Sequence, residues 1–226
     1  MDKVYIITGA GKGLGEAFVD QILKEKNTFV VSISRGCNSK QIDYTHAGRF
    51  LLIKQDLSQK MDYSGFKVLT EVIGITSKIV FINNAATIEP LDEVSNIDDK
   101  QFEDALKINV LAPVLIIKHL LRHFATNEIS FINITSGAAN RAIANWSIYS
   151  SSKAFMNRFF EVLKEENKGN NNYIFQSIDP GMIDTEMQEK IRSTDFPLQH
   201  IFAEAKQNGS LLTPAQAAKQ VLNELQ

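Results

Sequence analysis

Residues 3–15, KVYIITGAGKGLG, join a short β-rich run to a cluster of glycines. An apolar segment with helical periodicity follows at residues 14–23, so the stretch predicts a strand, a tight turn and a helix. The glycines at positions 9, 13 and 15 leave backbone N–H groups accessible at a helix N-terminus, where a phosphate group can approach. A glycine turn alone is a weak signal. Its position at the first strand-to-helix junction favours a dinucleotide site over a purely structural turn.

The residues after the second predicted strand, Thr28–Ser34, indicate which dinucleotide this turn would bind. In NAD-binding folds an acidic residue lies about 20 residues after the glycines and binds the ribose hydroxyl groups. Residues 28–41 contain no Asp or Glu, whereas Arg35 occupies the expected position and Lys12 lies inside the glycine turn. Two cations without a carboxylate favour the 2′-phosphate of NADP(H) over NAD(H). The alternative is that both are solvated surface cations.

The remainder of the chain alternates β-rich runs with helical patterns. Further strands are predicted at residues 49–54, 78–82, 129–135 and 173–178, and helices at residues 61–75, at 98–123, around 147–153 and from 213 onward. This alternation implies right-handed crossovers and a parallel sheet covered on both faces. We therefore predict an α/β fold, a Rossmann-type doubly wound parallel sheet flanked by helices. With 226 residues, 44% of them hydrophobic, the chain is long enough to form it as a single domain over residues 1–226.

The composition argues against several classes of protein. A net charge of -2 and a pI near 6.1 provide no broad basic field, so neither nucleic acid nor an acidic membrane surface is expected as a partner. Cys37 is the only cysteine, which excludes an internal disulfide, and no signal-peptide pattern precedes the first strand. The apolar run at residues 110–121 is interrupted by Pro113, Lys118 and His119 and is too short to span a bilayer. We expect a cytoplasmic protein.

Tyr149 and Lys153 are the first candidates for chemistry. In a helix they lie four residues apart on one face, so the ammonium group can lie against the phenol and lower its pKa. Ser136, at the end of the fifth predicted strand and thirteen residues before Tyr149, can face the same pocket. Asn109 lies with Pro113 inside a predicted helix, which suggests a local bend that turns Asn109 toward a polar group. Asn109 alone fits a core residue equally well.

Two further turns follow predicted strands at the edge where open parallel sheets bind ligands. They are the NNAA turn at residues 83–86 and the DPGMIDT turn at residues 179–185. Asn is also a common turn former, so the first motif alone is moderate evidence. Asp56, after the third strand, is placed to contact an adenine edge or to cap a turn. Residues 184–210 mix apolar and charged side chains, which predicts short helices that form a lid over a cleft.

The histidines give no indication of a metal site. His119 and His123 are four residues apart on one predicted helix, but no third ligand and no HExxH glutamate accompanies them. His46 and His200 do not share a metal-ligand spacing with carboxylates. We predict that no catalytic metal is bound.

Taken together, these motifs resemble the short-chain dehydrogenase/reductase family. The match runs nearly end to end and consists of the glycine turn at residues 8–15, the NNAG-like turn at residues 83–86, the helical Asn109, Ser136, the Tyr149 and Lys153 pair, and the turn at Pro180 and Gly181. Within the family, residues 134–139, 146–147 and 180–188 are most similar to the bacterial sepiapterin reductase-like branch, which includes NADPH-dependent benzil reductases.

The sequence departs from the family pattern in two places. Ala86 stands where the family usually has Gly, which could tighten the floor beneath the cofactor. The chain also ends where a seventh strand and a C-terminal tail would be expected. We expect a sheet of six strands, or a longer one to which this sequence contributes six. Because a tetramer interface through that edge is then in doubt, we expect a homo-oligomer, with a dimer favoured over a tetramer.

The resemblance implies a role for each residue of the constellation. Tyr149 would protonate the carbonyl oxygen as NADPH delivers hydride to the carbon, and Ser136 would hold that oxygen in place. Lys153 would favour the phenolate and hold the nicotinamide ribose. Asn109 would anchor a water molecule that passes protons toward Lys153.

The resemblance also implies the residues that surround the cofactor and the substrate. Those expected to bind NADP(H) are Gly9, Lys12, Gly13, Leu14, Gly15, Arg35, Asp56, Asn83, Ala85, Tyr149, Lys153, Pro180, Gly181, Ile183 and Thr185. Those expected to line the substrate pocket are Ala138, Trp146, Met182 and Met187, which are apolar, adaptable and close in sequence to the catalytic residues.

The expected function is therefore an NADPH-dependent carbonyl reductase. Its small-molecule substrate would be a vicinal dicarbonyl such as benzil, a related ketone or a sepiapterin-like compound. The alternative from another class is a non-catalytic NADP(H) sensor that regulates a partner, but a sensor has no need for a proton donor and its relay. Oxidation of an alcohol would use the same residues, so the sequence leaves the direction open.

Overall fold

The structure, a computed structural model, describes residues 2–75 and 77–225. Its sheet has six parallel strands in the order β3-β2-β1-β4-β5-β6. The strands are β1 Lys3–Thr8, β2 Thr28–Ser34, β3 Phe50–Lys54, β4 Lys78–Asn83, β5 Ile129–Ile134 and β6 Tyr173–Ile178. The prediction of a parallel α/β sheet is confirmed, and every predicted strand lies within one residue of its observed bounds.

The described residues form nine α-helices. They are α1 Gly13–Ile22, α2 Ser39–His46, α3 Leu69–Val72, α4 Asp99–Leu106, α5 Ala112–His123, α6 Ser147–Glu166, α7 Glu186–Ser193, α8 Gln199–Gln207 and α9 Pro214–Asn223. The helix predicted at residues 61–75 is mostly a 3₁₀-helix, Tyr63–Val68, followed by the single turn of α3. None of the helices in the described ranges is long and apolar enough to cross a membrane.

Both faces of the sheet are buried, as a doubly wound fold requires. On β1, Val4 and Ile6 enter the core that contains α5 and α6, whereas Tyr5 and Ile7 enter the core beneath α1 and α9. Alternate residues of one strand therefore reach opposite layers, and the strand is apolar almost throughout. Phe131 on β5 anchors the first core. The chain folds as a single domain with one helical layer on each face.

The strand order places a crevice at the carboxyl edge of the sheet. The chain runs from β1 outward to β2 and β3, and then returns to place β4 on the other side of β1. The crossovers therefore lead in opposite directions from β1, and ligands of open α/β sheets bind at such a switch point. The glycine turn follows β1 and the NNAA turn follows β4. Both predicted motifs therefore lie at this edge.

Candidate active site

The glycine turn is packed so tightly that side chains would not fit at two of its positions. A Cβ atom at Gly15 would lie 2.2 Å from the carbonyl oxygen of Gly9, and one at Gly9 would lie 3.1 Å from the Cα of Ala85. Gly9 also has φ +67° and Gly13 has φ +59°, values that L-residues rarely adopt. The turn thus brings the N-terminus of α1 against the end of β4, with bare backbone facing the crevice.

Thr8 joins the first strand to the NNAA turn. Its Oγ1 accepts hydrogen bonds from the backbone N–H groups of Asn84 and Ala85, both at 3.0 Å. The amide Nδ2 of Asn84 donates in return to the carbonyl oxygen of Thr8 at 2.9 Å. Asn84 was not among the predicted site residues. The sequence did contain an indication of its role, because Asn83 and Asn84 are adjacent in the NNAA turn. The side chain of Asn83 instead donates to Asn133 on β5 at 3.0 Å, within the sheet.

Arg35 follows β2 and Asp56 follows β3, so both lie at the carboxyl edge of the sheet, on the side of β1 away from β4. Arg35 is exposed immediately after β2. The backbone and hydroxyl of Ser58, which donate to Asp56 Oδ1 at 2.9 and 2.8 Å, hold the pKa of that carboxyl below its usual value, and the positive charge of Arg35 contributes in the same direction. Asp56 therefore caps a local turn within the electrostatic field of Arg35.

Lys12 has a different neighbour. Its ammonium group forms an exposed ion pair with Glu186, the first residue of α7. Thr185, the residue before Glu186, lies near the glycine turn, because a Cβ atom at Gly13 would be 3.6 Å from its Cγ2. The glycine turn and the segment predicted to be a lid therefore meet across the crevice.

Tyr149 and Lys153 occupy successive turns at the start of α6, and both are buried. The ammonium group of Lys153 donates to the carbonyl oxygen of Ile134 at 2.8 Å and lies 5.7 Å from the centre of the Tyr149 ring. Ser136 follows β5, and its side chain lies near enough to the Tyr149 hydroxyl to lower the pKa of Tyr149. The structure thus brings the three predicted catalytic side chains of β5 and α6 to one place.

Burial controls the protonation of this pair. It raises the pKa of Tyr149 to about 12; the hydrogen bond from Ser136 opposes that shift and the negative charge of Asp179 adds to it. Burial also lowers the pKa of Lys153 to about 8, and here the charge of Asp179 acts in the opposite direction. Lys153 donates to a backbone carbonyl, and its charge is not among the causes of the shift in the pKa of Tyr149. The expectation that Lys153 lowers the pKa of Tyr149 concerns the complex with a bound nicotinamide, and it stays a prediction.

Asn109 lies in a π-helical turn, Lys107–Leu111, between α4 and α5. Its Oδ1 accepts from the backbone N–H of Thr87 at 2.8 Å, and its Nδ2 donates to the carbonyl oxygen of Thr87 at 2.9 Å and to Ser152 Oγ at 3.2 Å. The Ser152 hydroxyl donates to the backbone carbonyl of Tyr149 at 2.8 Å. The predicted bend at Asn109 is present, and its form is a π-turn. Pro113 lies in the first turn of α5, where a helix tolerates proline.

An apolar cluster covers the Tyr149 side of the crevice. We call it the pocket cluster; its buried members are Ile88, Ala138, Trp146, Tyr149, Ile191 and Phe196, and its partly buried members are Ala86, Leu91, Ile143, Met187, Leu198 and Phe202. Three of the four predicted pocket residues, Ala138, Trp146 and Met187, belong to it. Met182 does not, and its side chain is largely exposed. Ile88, Ile191, Phe196 and Phe202 were missed, because nothing local in the sequence shows that they meet.

Aromatic rings form the wall of this cluster. Trp146 is stacked on Phe202, with ring centres 5.4 Å apart, and contacts Phe196 at 5.7 Å. Its ring is nearly perpendicular to that of Tyr149, with centres 5.7 Å apart. Phe196 precedes α8 and Phe202 lies within it, so the segment after β6 packs over the tyrosine.

The predicted cofactor residues that follow β6 border the crevice on that side. Gly181 has φ +77°, which makes the turn after Pro180 possible, and its N–H donates to Asp179 Oδ1 at 3.0 Å. Ile183 forms an isolated parallel bridge with Leu212, which fixes the chain just before Thr185. Leu14 is buried in the core beneath α1.

The histidine pair belongs to an aromatic stack. The rings of His119 and His123 are 4.3 Å apart, and Tyr63 is stacked on His119 at 5.3 Å. Across residues 2–75 and 77–225, no three His, Cys, Asp or Glu side chains are grouped in a way that could hold a metal ion.

Comparisons with known proteins agree with this geometry. The family model described as short chain dehydrogenase matches residues 3–195. The chain is 33% identical to a benzil reductase ((S)-benzoin forming) of Bacillus cereus, over 99% of this chain and 94% of that protein. It is 29% identical to a sepiapterin reductase of Xenopus tropicalis, over 68% of this chain and 60% of that protein. The crystal structure of the KRED1-Pglu enzyme superposes with a TM-score of 0.84 at 28% identity, over 96% of this chain and 91% of that one.

Proposed function

The chain belongs to the short-chain dehydrogenase/reductase family, in the branch that resembles benzil and sepiapterin reductases, and on that premise we propose that it is an NADPH-dependent carbonyl reductase. Members of the family are oxidoreductases that act on C=O or CH–OH groups. The observation that carries the proposal is the meeting of Ser136, Tyr149 and Lys153 beneath an apolar aromatic cluster, at the edge of the sheet that holds the glycine turn.

The residues at this edge fit a nicotinamide dinucleotide. The bare backbone at Gly9 and Gly13 and the N-terminus of α1 suit a pyrophosphate, and the close packing at Gly9 and Gly15 leaves no room for a side chain in the turn. Arg35 would bind the 2′-phosphate, and Asp56 would face the adenine. When bound, NADPH supplies the hydride that the carbonyl carbon accepts.

Tyr149 would act as the general acid. Because burial holds its pKa near 12, the phenol keeps its proton at neutral pH and can donate it to the carbonyl oxygen as that oxygen gains negative charge. Ser136 would hydrogen-bond the same oxygen and hold it in line. The ammonium group of Lys153, 5.7 Å from the ring, would stabilise the phenolate that remains.

Asn109 would anchor a water molecule that passes a proton toward Lys153. Its side chain is fully engaged with Thr87 and Ser152 and cannot itself transfer a proton. We assign the anchoring of a water molecule to its backbone, because π-turns disturb the regular carbonyl pattern of a helix and frequently occur at functional sites. Through Ser152, the same side chain fixes the backbone of Tyr149.

The pocket cluster favours a substrate with aromatic or extended apolar substituents. Trp146, Phe196 and Phe202 offer ring faces beside Tyr149. The benzil reductase relative reduces a diketone with two phenyl groups, which matches such a wall. We propose a vicinal dicarbonyl, or a sepiapterin-like substrate, and we propose that α7 and α8 form the lid that admits it.

Two further expectations concern the protein as a whole. Phe155, Phe159 and Val162 form a stripe on one face of α6, and Phe155 and Val162 are largely exposed. A second copy of the chain would cover such a stripe, which supports a dimer. We also retain a cytoplasmic location as part of the proposal.

Replacing the two cations tests the choice of cofactor. We expect Arg35→Ala with Lys12→Ala to lower the ratio of kcat/KM for NADPH to that for NADH by about 10-fold or more, because a charged hydrogen bond to the 2′-phosphate is lost. Arg35→Ala alone should account for most of the change, since Lys12 is paired with Glu186. Lys40→Ala is the matched control, because Lys40 is paired with Asp20 on α1. An unchanged ratio in the double variant would remove the argument for NADP(H).

A further inference from the structure

Trp146 carries a buried donor that finds no partner in the described part of the chain. Its side chain is 3% exposed, yet no acceptor among the described residues receives a hydrogen bond from its indole Nε1. The indole N–H of a buried tryptophan usually finds an acceptor, because an unpaired donor loses its bond to water and gains nothing in return. The missing acceptor therefore requires an explanation.

The surroundings of the indole do not supply that acceptor. Trp146 directly precedes α6, and its ring is in contact with Phe196, Phe202 and Tyr149. The other buried members of the pocket cluster carry aliphatic side chains. Among the described residues, Trp146 is the only member of this cluster with an unpaired polar side-chain atom.

We propose that the Trp146 indole N–H is a specificity-determining donor that binds the second carbonyl oxygen of a vicinal dicarbonyl. This inference rests on the proposed function and identifies the group that would select the substrate class. Tyr149 and Ser136 bind the oxygen that is reduced, and Trp146 binds the oxygen on the adjacent carbon. The donors come from residues three apart at the start of one helix, and their rings are in edge-to-face contact, with centres 5.7 Å apart.

The consequence is discrimination against simple ketones. A monoketone of the same shape satisfies Tyr149 but leaves the indole N–H buried and unpaired. Sites built to bond a polar group reject analogues that lack the group far more strongly than apolar pockets reject a change in size. The second oxygen, rather than the aromatic wall alone, then separates dicarbonyls from other ketones.

A pair of ketones and a pair of variants test this assignment. Benzil and deoxybenzoin carry the same two phenyl groups, but deoxybenzoin has a methylene group in place of one carbonyl. We expect Trp146→Phe to lower the ratio of kcat/KM for benzil to that for deoxybenzoin by about 10-fold or more, because Phe keeps an aromatic ring and removes the N–H. Phe202→Leu, which alters only the apolar wall, should lower both values by a similar factor. An unchanged ratio in Trp146→Phe would overturn the proposal.

A second measurement uses the unaltered protein and requires no turnover. Trp146 is the only tryptophan of the chain, so ¹⁵N labelling gives a single indole N–H resonance. In the presence of NADP⁺, we expect benzil to move that resonance downfield and deoxybenzoin to leave it without such a shift. Equal shifts with both ligands would overturn the hydrogen bond.

The two measurements separate this inference from the proposed function. If the protein reduces neither ketone, the proposed function fails, and the resonance still decides whether the indole binds the second oxygen. If both ketones are reduced and the ratio and the shifts are the same, the function stands and the role of Trp146 is refuted.

Discussion

Tyr149→Phe is expected to lower kcat for benzil reduction by about 10²–10⁴-fold, the range in which a positioned general acid contributes, while NADPH binds with an unchanged Kd. Phenylalanine keeps the ring that packs against Trp146 and removes only the hydroxyl that donates the proton. The loss should therefore appear in turnover and not in cofactor affinity. Absorbance at 340 nm measures the oxidation of NADPH, and titration of its fluorescence measures binding.

Tyr173→Phe is the matched control for this experiment. Tyr173 opens β6, and its hydroxyl donates to the carbonyl oxygen of Ala125 at 3.3 Å, on a surface remote from the pocket cluster. This control should keep wild-type turnover. A Tyr149→Phe protein that retains wild-type activity would refute the assignment of the proton donor.

Lys153→Met is expected to lower kcat/KM for the ketone by about 10²–10³-fold, as the loss of one group that stabilises a developing anion usually does. The variant should also change the pH profile. In the wild type, the ammonium is charged below its pKa of about 8 and neutral above it, so reduction should decline as the pH rises through 8. Because methionine does not titrate, this alkaline decline should be absent from the variant. Measurements from pH 6 to 10 at saturating NADPH test both expectations.

Two variants sharpen the interpretation of that profile. Asp179→Asn removes a negative charge that raises the pKa of Lys153, so the alkaline decline should move to lower pH. Lys164→Met, an exposed position on the same helix, should leave the profile unchanged. A wild-type profile that stays flat to pH 10 would contradict the role given to Lys153.

The features that the sequence predicted well are those encoded within one element. The strands of a parallel sheet are buried on both faces, so runs such as KVYIIT at β1 and TFVVSIS at β2 are mostly apolar and easily recognised. The spacing of Tyr149 and Lys153 is also local, because helix geometry alone places them on one face. The capping of α9 by Thr213, whose Oγ1 accepts from the N–H of Gln216, follows from the same kind of local rule.

The features that the sequence could not provide depend on contacts between distant segments. The side chain of Asn109 binds Thr87, 22 residues away, and Lys12 pairs with Glu186, 174 residues away. Phe202 meets Trp146 only because the segment after β6 folds back over α6. The pKa of Tyr149 follows the degree of burial, which no spacing in the sequence reveals.

The central claim is that the protein transfers a hydride from NADPH to a carbonyl group, and it is tested most directly by the stoichiometry of a single reaction. Purified protein is incubated with NADPH and benzil, and both the NADPH consumed and the hydroxyketone formed are quantified. We predict one hydroxyketone for each NADPH oxidised. Saturable binding of NADPH without oxidation by benzil, or by any member of a panel of dicarbonyls, pterins and simple ketones, would contradict the claim and indicate a non-catalytic sensor.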